Sequence, residues 1–206
     1  MSFHLWLAFA AAATALLMIP GPTVLLVISY AMTQGRRIAV AMALGVALGD
    51  FIAMTTSLLG LGALVMTSAE VFMVLKWAGA AYLVWMGIKL LRSPPRLGEV
   101  ETPAPKAARA VFLHAMTVTA LNPKSIAFFI AFVPQFLSPG APLGPQFATL
   151  IATFVSLACI NALLYALLAD RLRQQIRRPV ILKWMNRFGG TALIGMGAMT
   201  ASLTRV

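Results

Sequence analysis

The sequence predicts an all-α integral membrane protein with six transmembrane helices, arranged as two inverted three-helix repeats with both termini outside. Its composition is the first indication, because 61% of the residues are hydrophobic, only 10% are charged and the mean hydropathy is +0.90. Soluble domains are about one-quarter charged. The second is length, because 206 residues accommodate six spans of about 20 residues each. The third is the distribution of the basic residues, which give the chain a net charge of +11. They cluster between apolar segments, and this pattern indicates membrane topology rather than nucleic-acid binding.

The apolar segments define one transmembrane domain over residues 1–206. We expect spans at 4–33, 38–66, 71–91, 111–136, 146–169 and 181–203. The first segment lacks the basic start of a secretory signal and is longer than a signal's apolar core, so we expect it to be retained as a span. In the last segment the charge-free stretch after Arg187 is only Phe188–Leu203, which is short for a span of about 20 residues. It can cross if Lys183 and Arg187 extend to the inner interface.

The distribution of Lys and Arg predicts the orientation of these spans. Thirteen of the sixteen basic residues lie in or beside the first, third and fifth loops, whereas the second loop (67–70) and the fourth (about 137–145) contain none. The positive-inside rule therefore places the three basic loops in the cytoplasm and both termini outside. Lys76 lies near the outer end of the third span, and we expect its ammonium to extend to that interface.

The chain divides into two halves of three spans each. Repeat one covers about 4–91, repeat two covers about 111–203, and the cytoplasmic linker 92–110 between them contains four prolines. A linker of this composition is a flexible connection. Because each half has an odd number of spans, the two halves enter the membrane in opposite directions, as inverted-topology repeats do.

Proline motifs occur at matching places in the two halves. Span one contains Pro20-Gly21-Pro22, span four contains Asn122-Pro123-Lys124, and a shift of 101 residues places Pro22 on Pro123. Proline removes a backbone hydrogen bond and clashes with the preceding turn, so both helices should break or kink. The freed backbone groups must then be satisfied by protein or by water in a cavity. Packing kinks are the alternative interpretation, but matched broken helices indicate a transport site.

The charged residues near the membrane midplane come one from each half. Asp50 lies in span two and Lys124 in span four. Counted from the cytoplasmic ends of their spans at about 1.5 Å per residue, both lie at the depth of Pro22 and Asn122, with Asn161 slightly nearer the cytoplasm. We therefore expect these polar groups to converge in the middle of the bilayer.

Two roles are open for Asp50 and Lys124. The structural one is a static ion pair that holds the halves together, since pairing offsets part of the desolvation of each charge. In the functional one, Asp50 binds a proton or a cationic group, as midplane carboxylates commonly do in transporters. Lys124 then tunes Asp50 or meets a carboxylate. One acid and one base would match both ends of a zwitterionic amino acid.

Glycine spacing before Asp50 predicts close helix packing. Gly45 and Gly49 form a GxxxG pattern, which lets two helix backbones approach each other. Such packing would bring Asp50 near a neighbouring helix. The same pattern and other small residues would also permit a homodimer.

Four segments together resemble the LysE/RhtB family of bacterial amino-acid exporters. They are PGP in span one, ALGVALGD in span two, LKWAGAAYLVWMGIKLLRS across span three and LNPKSIAFFIAFVPQF in span four. The resemblance covers almost the whole chain and is clearest from residue 20 to 137. It implies a small inner-membrane protein that exports amino acids or related compounds, driven by the proton gradient. Some relatives are associated with lysine or arginine, others with threonine, homoserine or homoserine lactone. By position, the family's motif residues here are Pro20, Gly21, Pro22, Gly49, Asp50, Asn122, Pro123 and Lys124.

The leading hypothesis is a proton-coupled exporter of amino acids that works by alternating access and requires no metal or cofactor. A passive channel is an alternative that would not need Asp50 to exchange protons. A membrane thiol-redox relay is disfavoured because Cys159 is the only cysteine and such relays need pairs. A membrane enzyme is disfavoured because no Ser/His/Asp set, metal-ligand cluster or HExxH motif is present.

Overall fold

The computed structural model describes residues 1–19, 21–94, 107–138, 140–168 and 179–202, and only the backbone at 22, 32–37, 64–67 and 69. Within these ranges the chain forms seven α-helices and one short 3-10 helix, with no strand among them. The helices are α1 (Phe3–Met18), α2 (Pro22–Thr67), α3 (Ala69–Arg92), α4 (Ala108–Ala120), α5 (Pro123–Ala131), α6 (Leu143–Leu167) and α7 (Pro179–Ser202), and the 3-10 helix is Val133–Phe136.

The helices are apolar enough to identify an α-helical membrane protein. Within the described ranges, three segments are long and apolar enough to cross a bilayer: Ile38–Ala63, Glu70–Arg92 and Leu143–Leu167. A fourth span results if α1 and Thr23–Ala31, which are bent by 59°, count as one. The predicted fourth span is divided into α4 and α5, and the predicted sixth is α7. The prediction of an α-helical membrane protein is thus confirmed. Helix length and hydropathy alone identify three or four of the six predicted spans.

Both predicted helix breaks are present. Helix α1 ends at Met18, Ile19 is extended (φ −69°, ψ 119°), and α2 begins at Pro22. Helix α4 ends at Ala120 and α5 begins at Pro123. Proline suits the first helical position because its missing N–H would have no intrahelical partner there. Pro20 lies outside the described residues.

The prediction that a loop interrupts the helix between spans one and two is wrong. The backbone of α2 is helical from Pro22 to Thr67, so it continues through Arg36 and Arg37. This stretch contains no proline to interrupt the hydrogen bonds. A straight helix of 46 residues would be about 69 Å long, more than twice the hydrocarbon core of about 30 Å, so α2 is longer than one span.

Most of the expected basic loops lie outside the described residues, including 95–106 of the linker and 169–178. Lys76 is described, and its expected extension to the interface is wrong, because the side chain is buried inside the helical bundle with 6% exposure.

Helix α2 forms the centre of the packing. It contacts α4 and α6 most extensively, while α3 packs along α7. Where α3 crosses α7, Gly87 faces the carbonyl of Gly190 and Gly190 faces the carbonyl of Gly87. The backbones therefore touch in a reciprocal way, and no side chain separates them. This closeness is typical of helix pairs in membranes.

The two glycines of the GxxxG pattern pack against another helix of the same chain. A Cβ on Gly49 would lie 2.6 Å from the carbonyl oxygen of Met116 and 2.8 Å from the Thr119 Cβ, and Gly45 is similarly covered by Phe112. The two glycines thus let α2 lie directly on the backbone of α4. This contact sets Asp50 against the end of α4. The motif is therefore not available as the face of a homodimer.

The Gly49→Ala substitution is expected to lower the free energy of unfolding by about 1–3 kcal/mol, because overpacked methyl groups force backbone shifts. Gly60→Ala is the matched control. Among the described residues nothing lies within 4 Å of a Cβ at Gly60, so alanine there should be neutral or slightly stabilising. Thermal unfolding of the purified proteins in detergent measures both. Equal transition temperatures for the two variants would contradict the close packing at Gly49.

Candidate functional site

The predicted polar residues meet around one small cavity between the two broken helices. Asp50 of α2, Asn122 at the start of α5, Lys124 of α5 and Asn161 of α6 all line it. Apolar side chains from α1, α2 and α6, together with Thr23, Ser125 and Tyr165, complete the wall. The convergence expected from depth alone is therefore present in the structure.

The broken end of α1 is held by side chains from the second half of the chain. The last carbonyls of a helix have no intrahelical partner. Here Lys124 Nζ donates to the carbonyls of Leu16 (3.0 Å) and Ile19 (3.1 Å). Asn161 Nδ2 donates to Leu17 O at 3.2 Å, and the Tyr165 hydroxyl donates to Met18 O at 3.3 Å. Four successive carbonyls are thus satisfied by three side chains.

Asn122 connects the second break to the first. Its Oδ1 accepts from the backbone N–H of Lys124 at 3.1 Å and so caps α5, as asparagine commonly does. Its Nδ2 donates to Thr23 Oγ1 at 3.3 Å, and that hydroxyl lies 3.4 Å from Thr119 Oγ1. The first turns of α2 and α5 are therefore joined by side-chain hydrogen bonds beside the cavity.

Asp50 has a buried carboxylate oxygen that no hydrogen bond from the described residues reaches. Its side chain is 2% exposed, and Oδ1 has no hydrogen-bond partner among the described residues. Lys124 lines the same cavity, but its ammonium donates to the carbonyls of Leu16 and Ile19 and makes no hydrogen bond to Asp50 Oδ1 among the described residues. A buried carboxylate without a partner is costly. The position therefore favours a proton or a cationic group as the partner of Oδ1.

The remaining predicted residues support the site without lining it. Gly21 lies beside Lys124, and a Cβ there would be 3.5 Å from Nζ. Gly49 packs on α4, while Pro22 and Pro123 begin their helices, Pro123 with an exposed side chain.

Sequence reasoning missed Thr23, Thr119 and Tyr165. Tyr165 could have been found from its position four residues after Asn161, because residues at this spacing share a helix face. Thr23 follows Pro22 directly, so the predicted break could have drawn attention to it.

The cavity is too small to hold a substrate molecule. Its volume of about 30 Å³ is enough for a water molecule or two, whereas ligand pockets are usually about 300–1,000 Å³. An amino acid therefore enters only if the helices move apart. No three His, Cys, Asp or Glu side chains in the described part of the chain could together hold a metal ion.

Apolar helices, two of them broken beside a buried polar cavity, define a membrane transport protein. The chain matches the LysE type translocator family over residues 14–203. It is 34% identical to a homoserine/homoserine lactone efflux protein of Salmonella typhimurium over 98% of both chains. It is also 28% identical to a leucine efflux protein of Klebsiella pneumoniae, over 96% of this chain and 95% of the relative. No solved structure gives a significant match. The chain belongs to the LysE type translocator family and is a transporter, not an enzyme.

Proposed function

We propose that this protein exports amino acids or close derivatives across the bacterial inner membrane in exchange for protons. The observation that carries the proposal is the buried Asp50 carboxylate, whose Oδ1 has no partner among the described residues, in a cavity that Lys124 also lines. The efflux proteins for homoserine, homoserine lactone and leucine among its relatives support this substrate class.

The cavity suits a zwitterion. Asp50 offers a carboxylate to the substrate ammonium, and Lys124 offers an ammonium to the substrate carboxylate. The first turns of α2 and α5 also start beside the cavity, and the positive ends of helix dipoles favour an anionic group. In transporters with discontinuous helices, such half-helix ends commonly meet the carboxylate of an amino acid.

Two inverted repeats are supported by the packing. Helices α2 and α5 begin at Pro22 and Pro123, the two positions that the 101-residue shift aligns. Helix α4 packs on α2 as α1 packs on α6. The start of α2 contacts α7 through Val24, Ile28 and Leu182, as α5 contacts α3. With the basic loops in the cytoplasm, these repeats give six spans with both termini outside.

The transport cycle depends on competition between a proton and the substrate ammonium for the Asp50 carboxylate. Asp50 holds either a proton or the substrate ammonium, and the two repeats rock around the cavity so that it opens to one side at a time. Outward movement of substrate is then coupled to inward movement of protons, because Asp50 returns inward carrying a proton. A ligand shifts such an equilibrium only by binding one state better than the other.

The test is uptake of labelled homoserine and leucine into inverted membrane vesicles, whose lumen corresponds to the cell exterior. With an acidic lumen, we expect accumulation of at least one substrate above the equilibrium level, and dissipating the pH gradient should abolish it. Vesicles without the protein are the control. Uptake that only equilibrates, whatever the pH gradient, would instead identify a passive channel.

A further inference from the structure

Helices α1 and α6 run side by side in the same direction and meet through side chains. Trp6 Nε1 donates to Thr153 Oγ1 at 3.0 Å near their N-terminal ends. Asn161 and Tyr165 bond to the carbonyls at the end of α1. The contact therefore consists of a few separate hydrogen bonds with side chains packed between them, and we call it the α1–α6 seam.

A large cleft opens at the N-terminal end of this seam. Its volume is about 460 Å³, compared with about 30 Å³ for the central cavity. Its lining includes Ser2, Phe3 and Trp6 of the α1 end and Pro145, Gln146 and Thr149 of α6. Along both helices, the cleft residues come first and the cavity residues last.

Three phenylalanine rings fill the seam between the cleft and the cavity. Phe9 lies between Trp6 and the cavity residue Leu17 on α1, and Phe154 lies between Thr149 and Ala158 on α6. Phe128 of α5 joins them, with its ring centroid 6.4 Å from Phe9 and 6.1 Å from Phe154, and Phe136 and Phe129 pack behind these rings. Phe9, Phe128 and Phe154 are fully buried. This phenylalanine layer separates the two spaces.

The equivalent contact on the other side of the cavity is built differently. At the α2–α4 contact, Gly45 and Gly49 lie directly on the backbone of α4, and even a methyl group would clash. At these two glycines, backbone packed on backbone leaves no side chain that could swing aside. A rotamer change, in contrast, is enough to displace a phenylalanine ring. The α1–α6 seam is therefore the contact that can part.

We propose that substrate leaves the central cavity along the α1–α6 seam, with the phenylalanine layer as the gate and the cleft as the exit vestibule. The proposal rests on the proposed function, and in the topology proposed there the cleft lies on the outer side. Opening displaces Phe9, Phe128 and Phe154, while helices α2 and α4 stay packed together and move as one rigid body.

Thiol labelling tests the gate without measuring transport. In a Cys159→Ala background, Ser125→Cys places a reporter thiol in the cavity wall. A membrane-impermeant thiosulfonate is added on the side where α1 begins. Because Phe154→Ala leaves a void in the layer, we expect it to raise the labelling rate at least about tenfold on that side only. Phe51→Ala, which removes a ring that is 46% exposed on α2, should leave the rate unchanged. Equal rates in the two variants, or faster labelling from the opposite side, would overturn the proposal.

A reversible clamp tests the moving seam without weakening the core. Trp6→Cys and Thr153→Cys in the Cys159→Ala background are joined by a short bis-thiosulfonate cross-linker. We expect transport to stop and to return when a reducing agent opens the link. Tyr30→Cys with His114→Cys spans the α2–α4 contact, where the two rings lie 6.1 Å apart, and the same linker there should leave transport intact.

The outcomes separate this proposal from the proposed function. If the parent protein transports no amino acid, the proposed function fails, while the labelling result still decides the gate. If the parent transports and the Trp6–Thr153 clamp passes substrate, or if both clamps block equally, the exit route is wrong and the exporter assignment stands.

Discussion

The Asp50→Asn variant is expected to fold normally and to lose pH-gradient-driven uptake by at least about 100-fold, since a carboxylate in a transport pathway acts by exchanging protons. Asparagine keeps the shape of the side chain but neither releases a proton nor neutralises a substrate ammonium. Its stability should equal or exceed that of the parent, because a neutral amide is less costly to bury than a carboxylate without a partner. Uptake into inverted vesicles and thermal unfolding in detergent measure the two effects.

Glu70→Gln is the matched control for Asp50→Asn. Glu70 is an exposed carboxylate in the first turn of α3, far in sequence from the cavity residues, so its neutralisation should leave transport unchanged. Gradient-driven accumulation by Asp50→Asn at the parent rate would show that the proton is carried elsewhere.

The Lys124→Met variant is expected to lose both transport and stability. Its ammonium donates to two carbonyls at the broken end of α1, and the thioether offers no donor in return. Hydrogen bonds to charged groups contribute about 1.5–3 kcal/mol each, so unfolding should become easier by several kcal/mol, minus the desolvation that the charge no longer suffers. Lys89→Met is the control, because the Lys89 side chain is exposed. Its ammonium lies 5.1 Å from the centroid of the Trp85 ring.

The double variant distinguishes this arrangement from a static ion pair. If Lys124 existed only to neutralise Asp50, removing both charges would restore stability and transport. Because Lys124 bonds to α1 and Asp50 Oδ1 has no partner among the described residues, we expect Asp50→Asn with Lys124→Met to remain inactive and less stable than the parent, since the carbonyls of α1 still lack their donor. Recovery of both properties would favour the ion pair.

The limits of the helices could be predicted closely because apolar length and proline are local signals. The expected third and fifth spans, 71–91 and 146–169, correspond to Ala69–Arg92 and Leu143–Leu167. Both breaks fall at the predicted prolines. The loop at Arg36 and Arg37 was wrong, since basic charge indicates where a chain leaves the bilayer and does not stop a helix that lacks proline.

The details of the site could be predicted only in part. Depth follows from counting residues along a helix, so the meeting of Asp50, Asn122, Lys124 and Asn161 could be expected. Rotation about the helix axis depends on packing against neighbours that the sequence does not reveal. The bonds of Lys124 to α1, the role of Tyr165 and the burial of Lys76 all depend on that rotation and could not be predicted.

The break at the end of α1 is completed by side chains from the second half of the chain, and this has a consequence for biosynthesis. The carbonyls at the end of α1 depend on donors from α5 and α6, which the ribosome makes more than 100 residues later. Unsatisfied backbone groups are costly in lipid, so the first half inserts with an end that is still incomplete. The break in α1 therefore acquires its final form only when the second half of the chain has been made and inserted.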